Sequence, residues 1–412
     1  MKSIAIKISL FLNYFVFAIL LNSVGAVILQ MQRNFDVSKA DASILEAFKD
    51  LPIAITSFLV ASFLPKIGLK KSMLIGLAFI AIICGYMPFA NDFWFFKLLF
   101  LVIGVSFALI KVSTFATIGI ITNNEKEHGS FMNYLEAVFM AGVLSGGIFI
   151  SQFIDDLNPQ SRTWLSLYYA LSAISTLAFF LLFITKVDES EAKIESRPLV
   201  EDFVEMFKIM IKPLCIIFVI SIFFYVLIEQ SFSTWLPTFY TEIIKAPATM
   251  AIQTGAILGG ATFIGRLLSG FVLLRIKWIH FLSVCLIMVA LIVITVLPIA
   301  KAHVQNSNTV MSWLSAPYFV YLLPFMGLFL APIYPTLNST ILSSLPKHMH
   351  SSMAGLIVVF SALGGTTGSL ITGHVFEAFD GITAFYFSLI PIFIIFMSLW
   401  VLHLLIEKNA KN

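Results

Sequence analysis

The sequence predicts an all-α membrane protein with twelve transmembrane helices in two six-helix halves. Three observations predict it. Of 412 residues, 59% are hydrophobic and only 11% are charged, whereas a soluble domain is about 25% charged. Apolar segments long enough to cross a bilayer recur twelve times, and lipid leaves such segments no state but the helix, because it offers no partner to an open backbone. One long polar connection, residues 186–212, divides the segments six and six.

In chain order, the predicted spans are 7–30, 41–64, 72–90, 95–119, 130–154 and 163–185, then 213–241, 250–274, 279–300, 315–344, 351–376 and 383–406. The N-terminal half is 1–185 and the C-terminal half 213–412. Lys2 and Lys7 precede the first span, but no small-residue cleavage site closes it, so it reads as a retained helix and not a removed signal. The connection is a charged run, Lys186 to Pro198, then an amphipathic piece, Leu199 to Lys208, suited to the membrane surface. Sixteen of the 25 Lys and Arg residues fall at one set of ends and loops and six at the other. The positive-inside rule therefore puts both termini in the cytoplasm, in a cytoplasmic (inner) membrane. Short basic loops, Pro65 to Lys71 and Leu274 to Lys277, follow the second span of each half. Paired loops of this kind suggest a transporter built from repeats, with a solute site near the midplane.

Composition narrows the function. A net charge of +3 with scattered basic residues gives no nucleic-acid patch. Cys84, Cys215 and Cys285 all lie in apolar runs, without the spacing of a disulfide framework or a metal site. No His-Glu-x-x-His, Gly-x-Ser-x-Gly or Walker loop is present, so an enzyme is not expected, nor a cofactor. A membrane sensor would call for a sizeable soluble output region, and the linker and tail are short. The expected partners are a small-molecule solute, the bilayer and, as an open option, protons. The expected state is a monomer.

Charges inside spans mark the candidate site. Lys111 lies in the fourth span and Glu136 in the fifth. With helix ends near Gly119 and Ser130, they sit about 12 Å and about 9 Å from the same membrane face, so they can meet. Intramembrane charges usually pair or line a watery cavity. One reading is a cavity pair broken by substrate or proton; the other is a pair that only locks two helices. Lys111 also suits a substrate carboxylate. Glu229, beside Gln230 and before Trp235 and Pro237, is a second coupling or binding candidate, because Pro237 can loosen the seventh span there. Glu46, Lys49 and Asp50 share one helix face and read as a self-neutralising cluster in external water. Asn22, Gln30, Asn133, Gln230, Trp235, Tyr334 and Asn338 could supply hydrogen bonds and an aromatic face to a polar solute. Gly142, Gly146 and Gly147, and Gly364, Gly365 and Gly368, read as close-approach positions.

Several stretches resemble one family. They are Phe15-Val-Phe-Ala18 through Gln30-Met-Gln32, Phe223-Phe-Tyr-Val226 with Ser233-Thr-Trp-Leu236, Phe263-Ile-Gly-Arg266, and Tyr334-Pro-Thr336. In this order they resemble the fucose–proton symporters of the major facilitator superfamily, over nearly the whole chain. The resemblance implies the major facilitator fold, alternating access and a sugar-like solute. Lys66 and Lys70 fit the family's first basic loop as gate residues, although Pro65 stands where most of the superfamily has an acid. Arg266 reads as an anchor at the cytoplasmic gate. The family's proton-linked acids fall on Gly25 and near Leu109, and its fifth-span amide falls on Glu136. Proton coupling through those carboxylates therefore does not carry over. An organic acid, amino acid or carboxylate chelator held by Lys111 is the alternative solute.

Overall fold

The computed structural model describes residues 2–121, 125–185, 207–305, 312–345 and 349–411. Among these residues the regular structure is helical, without strands. Most of the predicted linker, 186–206, lies outside the described residues.

The first predicted span is two helices, α1 (Lys2–Leu21) and α2 (Val24–Asn34), bent by 42°. The bend has a local cause. Asn22 Nδ2 donates to the Ala18 carbonyl at 2.8 Å and Ser23 Oγ to the Leu20 carbonyl at 2.7 Å, so side chains compete with the helical ladder. There follow α3 (Lys39–Ile67), α4 (Leu69–Tyr86), α5 (Phe93–Ile121), α6 (Glu125–Ser151) and α7 (Leu167–Ile184). The C-terminal half has α8 (Pro213–Glu242), α9 (Ala248–Leu273) and α10 (Trp278–Gln305). Its tenth span is broken around Pro324 and Pro332 into α11 (Tyr318–Phe325), α12 (Gly327–Leu330) and α13 (Ile333–Ser344). Then come α14 (His350–Ala378), α15 (Gly381–Tyr386) and α16 (Leu389–Lys411). Among the described residues, nine segments are long and apolar enough to cross a membrane, and the bent α1–α2 pair makes ten. With α3 and α6, the two spans richest in charge, the twelve predicted spans are all helical.

The chain clusters into two compact units, Met1–Asp36 with Phe48–Leu199, and Val37–Ala47 with Val200–Asn412. In the first, α1 packs on α6 and α7, and α4 on α5 and α7. Trp164, ahead of α7, stacks on Phe96 of α5 and donates its indole N–H to Asn34 Oδ1 at 2.6 Å. Lys49 and Asp50 are 3.5 Å apart and only 5% and 8% exposed. They are therefore not in external water as the sequence suggested, because helix packing covers this face of α3.

In the second unit α8 is the hub and packs on α9, α14 and α16. Gly364 and Gly368 of α14 lie against the Phe223 and Leu227 carbonyls of α8, where a Cβ would collide. Close backbone approach of this kind is how small residues drive helix association in lipid. Pro237 does not break α8, which runs on to Glu242. Its neighbours Trp235, Leu236, Phe239 and Tyr240 are all fully buried and hold the segment in place. The start of α3 packs on the same helices through one face. Lys39 pairs with Glu242 at 3.0 Å, the Ala40 N–H donates to Glu377 at 2.6 Å, and Ser369 Oγ donates to the Ser43 carbonyl at 3.3 Å. Glu46, fully buried, accepts from Thr234 Oγ1 at 3.1 Å. Here too the sequence expectation of a solvated carboxylate is corrected.

Candidate transport site

Each unit presents one charged, aromatic-lined group of residues. In the first, α5 carries Phe107, Lys111 and Phe115 at four-residue spacing, which puts all three on one face. Lys111 is exposed, with its ammonium 5.6 Å from the Phe107 ring centre and 6.0 Å from that of Phe115. Rings that flank a cation on both sides stabilise it through their quadrupoles. Tyr14 of α1 lies 6.5 Å from both Phe107 and Phe115, and Phe139 of α6 lies 6.1 Å from Tyr14. Three helices thus contribute aromatic rings to the surroundings of one cation. The side chains of Glu136 and Asn133 lie outside the described residues, so the predicted Lys111–Glu136 pair does too.

In the second unit the chemistry gathers around Glu229. Tyr225, fully buried one turn earlier on α8, donates its hydroxyl to Glu229 Oε1 at 2.9 Å. The Tyr225 ring lies 5.8 Å from that of Tyr334 on α13. The Tyr334 hydroxyl lies 3.3 Å from Ser361 Oγ of α14, and within reach of the Asn338 side chain. Asn338 Oδ1 is buried without a partner. Arg266 of α9 is exposed, and its charge acts on both phenols. Glu229, Tyr334 and Asn338, chosen from sequence, come together here with Arg266. Tyr225 and Ser361 were missed. Tyr225 had a signal, its i−4 spacing to Glu229; Ser361 had none, because tertiary packing alone brings it there.

The other candidates lie elsewhere. Asn22 is exposed and bonded to its own helix. Gln30 is buried. Gln230, half-buried, accepts from Ser233 at 2.9 Å. Trp235 is fully buried and donates to the Ser369 carbonyl at 3.2 Å, so it offers no face to a solute. Lys70 donates to the Phe183 carbonyl at 2.8 Å and ties α4 to α7. The Lys66 side chain lies outside the described residues.

Helices that cross a bilayer many times and carry charge on aromatic-lined faces define a multi-pass membrane transport protein. The chain belongs to the Major Facilitator Superfamily, whose model matches residues 10–369. Among curated proteins it is 24% identical over 410 residues to the Protein TsgA homolog of Buchnera aphidicola subsp. Schizaphis graminum, covering 98% of this chain and 96% of the relative. Among solved structures it is similar to the E. coli fucose:proton symporter FucP, with a TM-score of 0.60, 16% identity, and coverage of 98% and 99%. A POT family transporter in complex with 5-aminolevulinic acid is also similar, with a TM-score of 0.75, 13% identity, and coverage of 98% and 96%. The resemblance to fucose symporters noted in the sequence thus extends to the fold.

Proposed function

We propose that this chain is a secondary active transporter of the cytoplasmic membrane, with both termini in the cytoplasm. It moves a small polar solute by alternating access, and the solute carries a negative group that Lys111 receives. One observation carries the reading: an exposed ammonium in the middle of an apolar helix, flanked by Phe107 and Phe115, with Tyr14 against both rings. An intramembrane cation is costly and is kept where it meets a solute or a counter-charge. Glu229 is the coupling carboxylate, able to exchange a proton while its phenol neighbours hold its geometry. The neutral-sugar reading rests on the fucose symporter likeness and on Tyr334-Pro-Thr336, where Tyr334 is half-buried and hydrogen-bonded.

A thermal-shift screen of the purified protein tests the choice, because a ligand that binds only the folded state raises apparent stability. Carboxylates should shift the melting temperature of the wild type, and Lys111→Met should abolish the shift while keeping the fold. A shift with neutral sugars that survives in Lys111→Met would overturn the anionic reading in favour of a sugar.

A further inference from the structure

At one end of the second unit, the first turn of α10 lies against the last turns of α16. Trp278 opens α10 and His280 follows it, while Trp400, His403 and Glu407 share one face of α16. Trp278 meets His403 edge-on at 5.6 Å, His280 meets Trp400 edge-on at 6.1 Å, and Trp400 lies 6.3 Å from His403. Two indoles and two imidazoles therefore join the two helices. From this cluster an exposed apolar stripe runs into both spans. Val284 and Ile287 continue the His280 face of α10, and Met397 and Phe393 continue the Trp400 face of α16.

That arrangement selects an amphipathic ligand. Aromatic rings with a polar edge gather where hydrocarbon gives way to headgroups. Indole N–H groups donate and do not accept, so the cluster favours acceptor oxygens. Of the charged side chains next to it in sequence, Arg275, Lys277 and Lys408 are basic and exposed. The acidic one, Glu407, lies 3.4 Å from His403 Nε2. Basic side chains at this level attract anionic lipid. A phosphodiester with a net negative charge meets these cations and donors, and its acyl chains match the stripe. A soluble phosphate matches the charges and leaves the stripe unused.

We propose that the Trp278, His280, Trp400 and His403 cluster seats an anionic phospholipid, with its phosphate at Lys277 and Lys408 and its chains along the two-helix stripe. The proposal needs only the membrane-spanning fold and is independent of what Lys111 receives. Native mass spectrometry of the purified full chain, titrated with dioleoylphosphatidylglycerol, tests it. Wild type should bind this lipid saturably and about tenfold more tightly than dioleoylphosphatidylcholine. Lys277→Gln combined with Lys408→Gln should weaken phosphatidylglycerol about tenfold, through lost charge-assisted contacts. His280→Phe, which keeps a ring and removes its N–H, should weaken it about fivefold. Lys301→Gln, near the far end of α10, should leave it unchanged.

Undiminished binding in the double variant overturns the seat. An equal loss in Lys301→Gln also overturns it, because total charge would then explain the effect. Equal affinity for phosphatidylcholine overturns the anionic class. Competition by sn-glycerol 3-phosphate at the lipid's own concentration would make the cluster a soluble phosphate site and overturn the lipid.

Discussion

Tyr225 donates its hydroxyl to Glu229 across one turn of α8. A phenol in this position stabilises the charged carboxylate and fixes its rotamer. The pair joins α8 to α13 through the Tyr225–Tyr334 contact, so the charge on Glu229 is linked to two helices.

If Glu229 carries the coupling proton, Glu229→Gln should keep solute exchange across proteoliposome membranes but lose accumulation driven by a pH gradient. Tyr225→Phe should keep exchange and lower the accumulation ratio, because the hydroxyl that holds the carboxylate's geometry is gone. Accumulation unchanged in both variants would remove the pair from coupling.

Trp235 separates packing from binding. Its indole is buried and its N–H is satisfied by Ser369, so Trp235→Phe should lower stability by about 1 kcal/mol through the lost hydrogen bond and smaller ring. Solute affinity should stay within twofold of wild type. A large loss of affinity at unchanged melting temperature would return Trp235 to the site.

Thr234→Val removes the hydroxyl that Glu46 accepts in a buried setting. Hydrogen bonds between membrane helices are modest, so the cost should be about 1 kcal/mol in chemical or thermal unfolding. The double variant with Glu46→Gln should cost less than the sum of the two single changes, which is the signature of direct contact.

Gly368→Ala places a methyl against the Leu227 carbonyl, a backbone atom that cannot swing aside. Overpacking of this kind costs about 1–3 kcal/mol. Gly255→Ala, with open space around its Cβ position, should be close to neutral. Equal melting temperatures for the two variants would contradict the close crossing of α8 and α14.

The fold was readable because bilayer thickness writes itself into the sequence as segment length. The bend at Asn22 and Ser23 was not legible, because those side chains could equally have faced a solute as bonded back to Ala18 and Leu20. Glu46, Lys49 and Asp50 misled for a related reason. Charge near a helix end normally means water, and only tertiary contacts with Thr234 and neighbouring helices reverse that rule. Lys111 stood out as a charge in the middle of a 29-residue helix whose other charge, Lys97, lies in its first turns. The phenylalanines around it did not, because 42 Phe residues give no reason to prefer any one of them. Trp235 shows the converse: an aromatic beside polar residues looked like a ligand face and proved to be packing.

The start of α3 serves the second compact unit through Lys39, Ala40, Ser43 and Glu46. These four positions hold one angular phase on the helix, so contacts at its first residue and at its eighth are set together. Each inserted residue turns one end by about 100° against the other. Adding a single residue between Ser43 and Glu46 would swing Glu46 away from Thr234 or Lys39 away from Glu242. Adding four leaves a residual turn of only about 40°. In this stretch, length can change only in steps close to a whole turn.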